Sequence, residues 1–108
     1  MTAIQDYKIA KLQELKEKKG FLVRVWGEEI SVFKIAGELF AIANVCSHQH
    51  FSKLHEGEVS DCTVTCPMHG WTYDLRTGIS TNGNGRVRTY PVIIRNDDVF
   101  IQKHGNTH

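Results

Sequence analysis

Two short motifs in this chain pair a cysteine with a histidine. Cys46 and His48 are separated by one residue, and Cys66 and His69 by two. Thiolate sulfur and imidazole nitrogen are good ligands for soft and borderline metals, and two of each suit either zinc or an iron–sulfur cluster. The 17 residues from 49 to 65 lie between the motifs. A returning pair of strands fits this length, so the motifs are predicted to face each other across one inorganic site.

The elements that must position these motifs read as an all-β chain. Runs rich in aromatic and β-branched residues, with turns about every ten positions, predict an antiparallel sandwich or barrel. The predicted strands are Phe21–Trp26, Ile30–Ile35, Leu39–Val45, Val59–Cys66, Trp71–Asp74, Val87–Arg95 and Val99–Gln102. The polar stretch from Cys46 to Glu58 is predicted to be a loop, and a second loop begins at Pro67.

The N-terminal region is the exception to this pattern. Residues 11–19 predict one short helix or helical turn, because Leu12 and Leu15 are three apart and share a helical face. Gly20 is predicted to end that helix.

Length and composition bound the possible functions. A chain of 108 residues is one small domain, and its formal net charge of +1 argues against a protein that coats nucleic acid or an anionic membrane. It contains neither an apolar run of about 20 residues nor a visible secretory signal, so a cytoplasmic location is expected. Three cysteines are a poor basis for a disulfide framework. Neither paired carboxylates nor a nucleophile–base pair is recognisable, so a stand-alone enzyme is not predicted.

The chain resembles the Rieske-type [2Fe–2S] proteins, specifically the small soluble Rieske ferredoxins. Their pattern of Cys-x-His followed at a distance by Cys-x-x-His is matched by Cys46, His48, Cys66 and His69. The similarity extends beyond the ligands to four further segments, which are Leu39–Ile42, His69–Asp74, Arg76–Gly78 and Thr89–Val92. The resemblance therefore covers nearly the whole chain.

That resemblance implies a role for each ligand. Cys46 and Cys66 are expected to bind the buried ferric iron, and His48 and His69 the outer iron, which is reduced. It also implies a single Rieske domain over residues 1–108, with a cluster-binding subdomain inserted at about 44–78. The expected function is one-electron transfer between a flavin reductase and a terminal oxygenase or another redox enzyme, without a nucleic-acid or membrane partner.

The chain departs from the membrane-complex members of that family in three places. Phe51 and Met68 occupy the positions of two cysteines that form a disulfide there, so this disulfide cannot form. Trp71 occupies the position of a serine that donates to a bridging sulfide. Tyr73 matches the family tyrosine that reaches a ligand cysteine, although an ordinary core aromatic is an equal alternative.

Two other interpretations of the chain remain open. A zinc-binding structural module could use the same four ligands, although structural zinc sites usually contain a Cys-x-x-Cys pair, which this chain lacks. Alternatively, the chain is a fixed small subunit of an oxidoreductase complex, similar to the small subunit of assimilatory nitrite reductase. Of the remaining residues of these types, Cys62 is predicted to be a core residue, and His50 and His55 to lie on the surface.

Overall fold

The computed structural model describes residues 4–44, 54–67, 70–83 and 85–104. These ranges contain ten strands and two short 3-10 turns, Leu12–Glu14 and Leu54–Glu56. The strands are β1 (Ile4–Lys11), β2 (Phe21–Val25), β3 (Glu28–Ile35), β4 (Glu38–Ala43), β5 (Glu58–Ser60), β6 (Thr63–Thr65), β7 (Thr72–Asp74), β8 (Thr89–Tyr90), β9 (Val92–Arg95) and β10 (Asp98–His104).

The strands form three antiparallel sheets. Their orders are β1-β10-β9 in the first sheet, β2-β3-β4-β8 in the second and β5-β6-β7 in the third. The third sheet lies between β4 and β8 in the sequence, where both Cys-His motifs are found. The predicted all-β antiparallel class is confirmed.

Strand β3 is buried on both faces and separates two hydrophobic cores. Since successive side chains of a strand point to opposite faces, Ile30 and Val32 enter the first core while Phe33 enters the second. The first core also contains Ala10, Leu15, Val25, Ala41, Tyr90, Val99 and Ile101. The second core also contains Ile42, Leu54, Cys62, Val64, Cys66, Tyr73, Leu75 and Val87. The second core therefore contains Cys66, the one predicted ligand that the structure describes.

Of the short helix or helical turn predicted over residues 11–19, the full helix is wrong and a single turn forms. Strand β1 continues to Lys11, and a single 3-10 turn over Leu12–Glu14 brings Leu15 into the first core. Two leucines three apart need only one turn to share a face, and an isolated helix shorter than about 12 residues is marginal without further apolar contacts. Pairing of β1 with β10 offers the preceding backbone a more extensive set of hydrogen bonds.

The single strand predicted over Val59–Cys66 is also wrong. The chain folds there into the hairpin β5–β6, with a turn at Asp61 and Cys62, and Asp61 adopts a φ of 52°. Val59, Thr63 and Thr65 keep one alternating spacing across this turn, so the pattern gives no sign of the reversal. Cys62 is nevertheless buried in the second core, as predicted.

The strand predicted over Val87–Arg95 is divided at Pro91. Proline lacks the backbone N–H that a continuing ladder requires. Strand β8 before it pairs in the second sheet, and strand β9 after it pairs in the first. Pro91 thus lies where the chain passes from one sheet to the other.

Among the helical segments that the structure describes, none has the length and apolar character of a membrane span.

Candidate metal centre

The second Cys-His motif begins a hairpin loop between β6 and β7. Thr65 pairs with Thr72 at the base of this loop, where their hydroxyl oxygens are 2.9 Å apart. The Cys66 N–H donates to the Trp71 carbonyl at 2.8 Å, and the Gly70 N–H donates to the Cys66 carbonyl at 3.1 Å. We call residues 66–71 the second ligand loop. The hydrogen bond between Cys66 and Trp71 holds the two ends of this loop together at the edge of the third sheet.

Cys66 lies at the inner end of this loop, within the second core. Its side chain is 1% exposed, and its thiol forms no disulfide. Tyr73, fully buried, and Val64 belong to the same core and face each other across β6 and β7. A buried thiol in apolar surroundings is either an inert core group or a ligand whose charge is neutralised by a metal.

Cys62 is the second free cysteine in this core, and its surroundings can be compared with those of Cys66. Burial raises the pKa of the Cys62 thiol, and the nearby Arg76 guanidinium opposes part of that effect. Cys62 lies in the β5–β6 turn, whereas Cys66 opens the second ligand loop. That Cys62 is not a ligand stays a prediction.

The first Cys-His motif lies in a segment whose two flanks are joined by Asn44. The Asn44 carbonyl accepts a hydrogen bond from the Leu54 N–H at 3.2 Å. Its side-chain oxygen accepts another from the His55 N–H at 2.7 Å, and His55 Nδ1 lies 3.1 Å from the same atom. The end of β4 and the Leu54–Glu56 turn are therefore adjacent. Residues 45–53 between them lie outside the described residues, and for the loop predicted there we use the name first ligand loop.

Asn44 is itself fixed to the second sheet. It is fully buried, and its backbone N–H donates to the Glu29 carbonyl at 2.9 Å. Its side-chain nitrogen lies 3.4 Å from Glu29 Oε1, and Arg24 forms an ion pair with the same carboxylate at 3.1 Å. One buried amide thus joins β3, the end of β4 and the chain that follows the first ligand loop.

Gly20 makes room for the same junction. A Cβ atom on Gly20 would lie 2.2 Å from the His55 carbonyl oxygen, so a larger residue would displace the Leu54–Glu56 turn. Gly20 is therefore required by close packing and does not end a helix. His55, predicted to lie on the surface, is partly buried and bonded to Asn44.

The structure describes one of the four predicted ligands, Cys66. Cys46, His48 and His69 lie outside the described residues, as do His50, Phe51 and Met68. Across 4–44, 54–67, 70–83 and 85–104, no three His, Cys, Asp or Glu side chains come together as a group that could hold a metal ion. The described residues therefore offer no competing metal site.

Sequence reasoning missed the two asparagines that bond at the loop ends. Asn44 lies within the predicted strand Leu39–Val45 and belongs to no motif. Asn82, whose amide bonds to Thr72 and Gly70 at the end of the second ligand loop, lies in a polar stretch, residues 82–85, without a ligand residue. The available signal was a residue capable of both donating and accepting at the edge of a loop that carries ligands.

A free, buried cysteine at the start of a closed hairpin loop fits a cluster ligand. The donor set predicted for the two loops, two thiolates and two imidazoles, is also the set that a Rieske-type cluster uses. A model of the Rieske [2Fe-2S] domain matches residues 5–91, a span that contains both motifs. The chain belongs to the Rieske [2Fe–2S] domain family. Its cofactor is accordingly a Rieske-type [2Fe–2S] cluster.

Individual Rieske proteins show how close the similarity is. The anthranilate 1,2-dioxygenase ferredoxin subunit of Burkholderia cepacia is 43% identical over 81 residues, which cover 72% of this chain and 74% of the relative. The solved ferredoxin of carbazole 1,9a-dioxygenase from Nocardioides aromaticivorans IC177 is 28% identical, with a TM-score of 0.84 and coverage of 89% and 95% of the two chains.

A third similarity concerns the fold alone. A solved protein from Mycobacterium tuberculosis, described as an NADH-dependent nitrite reductase small subunit, has a TM-score of 0.88 over 94% of this chain and 96% of its own. Its sequence identity is 17%. It shares the fold of the Rieske domain. At this level of identity, the similarity does not show that the two proteins have the same activity.

Proposed function

We propose that Cys46, His48, Cys66 and His69 hold the [2Fe–2S] cluster and that the protein carries single electrons to a terminal oxygenase. The observation that carries this proposal is the family match over residues 5–91, because that span includes both ligand loops. The arrangement around Cys66 supports it, since a free cysteine with a 1% exposed side chain opens the second ligand loop.

The mixed ligand set determines what this chain contributes to electron transfer. Two neutral imidazoles in place of two thiolates remove negative charge from the site and raise its potential above that of an all-cysteine ferredoxin. The bound cluster supplies the one-electron chemistry. In this proposal the cysteine ligands lie on the core side, and the histidine ligands lie toward the partner. The protein converts no substrate itself.

The partners follow from the named relatives. The Burkholderia cepacia relative and the Nocardioides aromaticivorans structure are both described as ferredoxins of dioxygenase systems. We therefore assign a terminal oxygenase as acceptor. A flavin reductase as donor and a cytoplasmic location are added from the family resemblance, and the names of these relatives do not bear on them. A fixed subunit of a nitrite reductase is less well supported, because that similarity rests on 17% identity.

The test is a direct transfer experiment. The reconstituted protein, reduced by one electron, is mixed anaerobically in a stopped-flow instrument with the oxidised terminal oxygenase of an aromatic-ring dioxygenase system. We expect reoxidation at a rate that rises with oxygenase concentration, with one electron delivered per chain. Cys66→Ser protein treated identically is the control and should deliver none. Failure of the wild-type protein to reduce any such oxygenase, together with stable co-purification with a nitrite reductase large subunit, would contradict the proposal.

A further inference from the structure

A segment that follows Gly78 runs along the free edge of β7. The Asp74 N–H donates to the Ile79 carbonyl at 3.0 Å, and Tyr73 forms an antiparallel bridge with Ser80. The Thr81 N–H then donates to the Thr72 carbonyl at 2.8 Å. Residues 79–82 therefore continue the third sheet by one short, irregular strand, and we call them the edge segment.

At the end of the edge segment, the Asn82 side chain, instead of the backbone, makes the hydrogen bonds. Asn82 Oδ1 accepts a hydrogen bond from the Thr72 N–H at 2.9 Å, and Asn82 Nδ2 donates to the Gly70 carbonyl at 3.0 Å. The two bonds span Trp71, so one amide bridges both sides of this residue. The bridged groups belong to the end of the second ligand loop and the start of β7.

The chemistry of this bridge is specific to an amide. Its two partners are a backbone donor and a backbone acceptor, so the bridging side chain must accept with one atom and donate with the other. Asparagine does both, whereas an ionised aspartate accepts only. Ser80 adds a longer contact, with its Oγ 3.4 Å from Asn82 Oδ1.

The residue after Asn82 fits closely against the same loop. A Cβ on Gly83 would lie 2.8 Å from Cε3 of the Trp71 ring, so the ring packs directly against the glycine backbone. The edge segment thus meets the second ligand loop in two independent ways, through the Asn82 amide and through the face of Trp71.

We propose that Asn82 is a positioning residue for the cluster, acting on Cys66 and His69 through the second ligand loop. This inference rests on the proposed ligand assignment. Gly70 directly follows His69, and Trp71 accepts the hydrogen bond from the Cys66 N–H. By fixing the groups on either side of Trp71, Asn82 limits the movement of the loop end that follows the histidine ligand. Asn82 thereby lowers the rate at which iron is lost from the cluster site.

The experiment compares Asn82→Ala and Asn82→Asp with wild-type holoprotein. One measurement is hydrogen–deuterium exchange of peptides covering residues 66–75, and the other is the rate of iron release to a chelator. In Asn82→Ala both should become about tenfold faster, the change expected from losing hydrogen bonds of ordinary net strength. Asn82→Asp keeps an acceptor for the Thr72 N–H but loses the donation to Gly70, so exchange should change less while iron release remains faster.

The matched control is Gln102→Ala. Gln102 also uses its amide in a side-chain hydrogen bond, to Asp6 at 2.9 Å, but in the first sheet. It should leave both measurements at the wild-type value. Iron release at the wild-type rate in both Asn82 variants would overturn the proposal, as would faster exchange spread evenly over the whole chain. Failure of the proposed function would appear separately, as wild-type protein without iron and sulfide.

Discussion

Asn44 Oδ1 accepts a hydrogen bond from the backbone N–H of His55 at 2.7 Å, across eleven residues of sequence. This bond joins the end of β4 to the chain that follows the first ligand loop. Because Asn44 is fully buried and also bonded to Glu29, the junction is tied to the second sheet. The loop predicted to carry Cys46 and His48 therefore starts and ends at one fixed place.

Removing this side chain should weaken both the fold and the retention of the cluster. Asn44→Ala leaves the buried His55 N–H without its acceptor, which costs about 2 kcal/mol of unfolding free energy. We expect a correspondingly lower urea midpoint and faster release of iron to a chelator.

Ser31→Ala is the matched control for this variant. Ser31 is equally buried in the second sheet, but its hydroxyl has no hydrogen-bond partner within the described part of the chain. Its removal should leave the urea midpoint unchanged or slightly higher. Equal behaviour of the two variants would show that the Asn44 side chain contributes nothing as a junction.

The ligand assignment predicts opposite results for the two described cysteines. Cys66→Ser should abolish or severely reduce cluster incorporation, because it opens a coordination position on iron and metal binding is linked to loop order. Cys62→Ser should retain the full cluster. The same loss is expected for Cys46→Ser, His48→Ala and His69→Ala. Iron content and visible absorption after reconstitution distinguish the outcomes, and full occupancy in His69→Ala would refute the assignment.

The surroundings of Cys66 predict a midpoint potential in the lower part of the Rieske range, which spans about −150 to +300 mV. Trp71 carries no hydroxyl to donate to a sulfide, and the family disulfide is impossible. The potential should hardly change between about pH 6 and 8, since both histidine ligands stay protonated at the non-ligating nitrogen. Protein-film voltammetry giving a value near the top of the range, or a steep fall with pH below 8, would contradict this prediction.

With the family's serine absent, the Tyr73 hydroxyl is the remaining hydrogen-bond donor expected to reach a ligand cysteine. Tyr73→Phe should lower the potential by about 50 mV or more, because a hydrogen bond to a charged group contributes about 1.5 kcal/mol and about 59 mV corresponds to about 1.4 kcal/mol for one electron. Tyr7→Phe, on an exposed ring of β1, is the control. An unchanged potential in Tyr73→Phe would assign Tyr73 to packing alone.

The surroundings of Tyr90 predict that the folded protein loses stability at alkaline pH. Burial raises the pKa of Tyr90, and the hydrogen bond from its hydroxyl to Glu28 raises it further. The unfolded chain ionises first, near the usual tyrosine value of about 10, so stability is fully present below that pH and is lost as the pH rises above it. Urea midpoints should therefore fall less steeply above pH 10 in Tyr90→Phe than in wild type. Parallel curves would rule out this linkage.

How far the sequence predicts this fold depends on the range of the interactions involved. β2, β3 and β4 were predicted within a few residues, because their aromatic and β-branched runs are bounded by turn residues. The reversal at Asp61 was missed because alternation alone carries no information about where a strand turns. β1 was missed because its pairing with β10 joins distant parts of the chain.

The site shows the same division. The candidate ligands are predicted from residue types and a spacing that are local in the sequence, whereas Asn44 and Asn82 act through contacts across ten to twelve residues. The close approach of Gly20 to His55 likewise depends on the folded chain.

Binding of a [2Fe–2S] cluster through the two Cys-His motifs underlies the ligand predictions above. Its most direct test is the metal and sulfide content of protein produced anaerobically with ample iron, measured together with visible absorption before and after dithionite. We predict two iron and two acid-labile sulfide per chain, with absorption that bleaches on reduction. One zinc per chain, with no sulfide and no visible absorption, would contradict the claim.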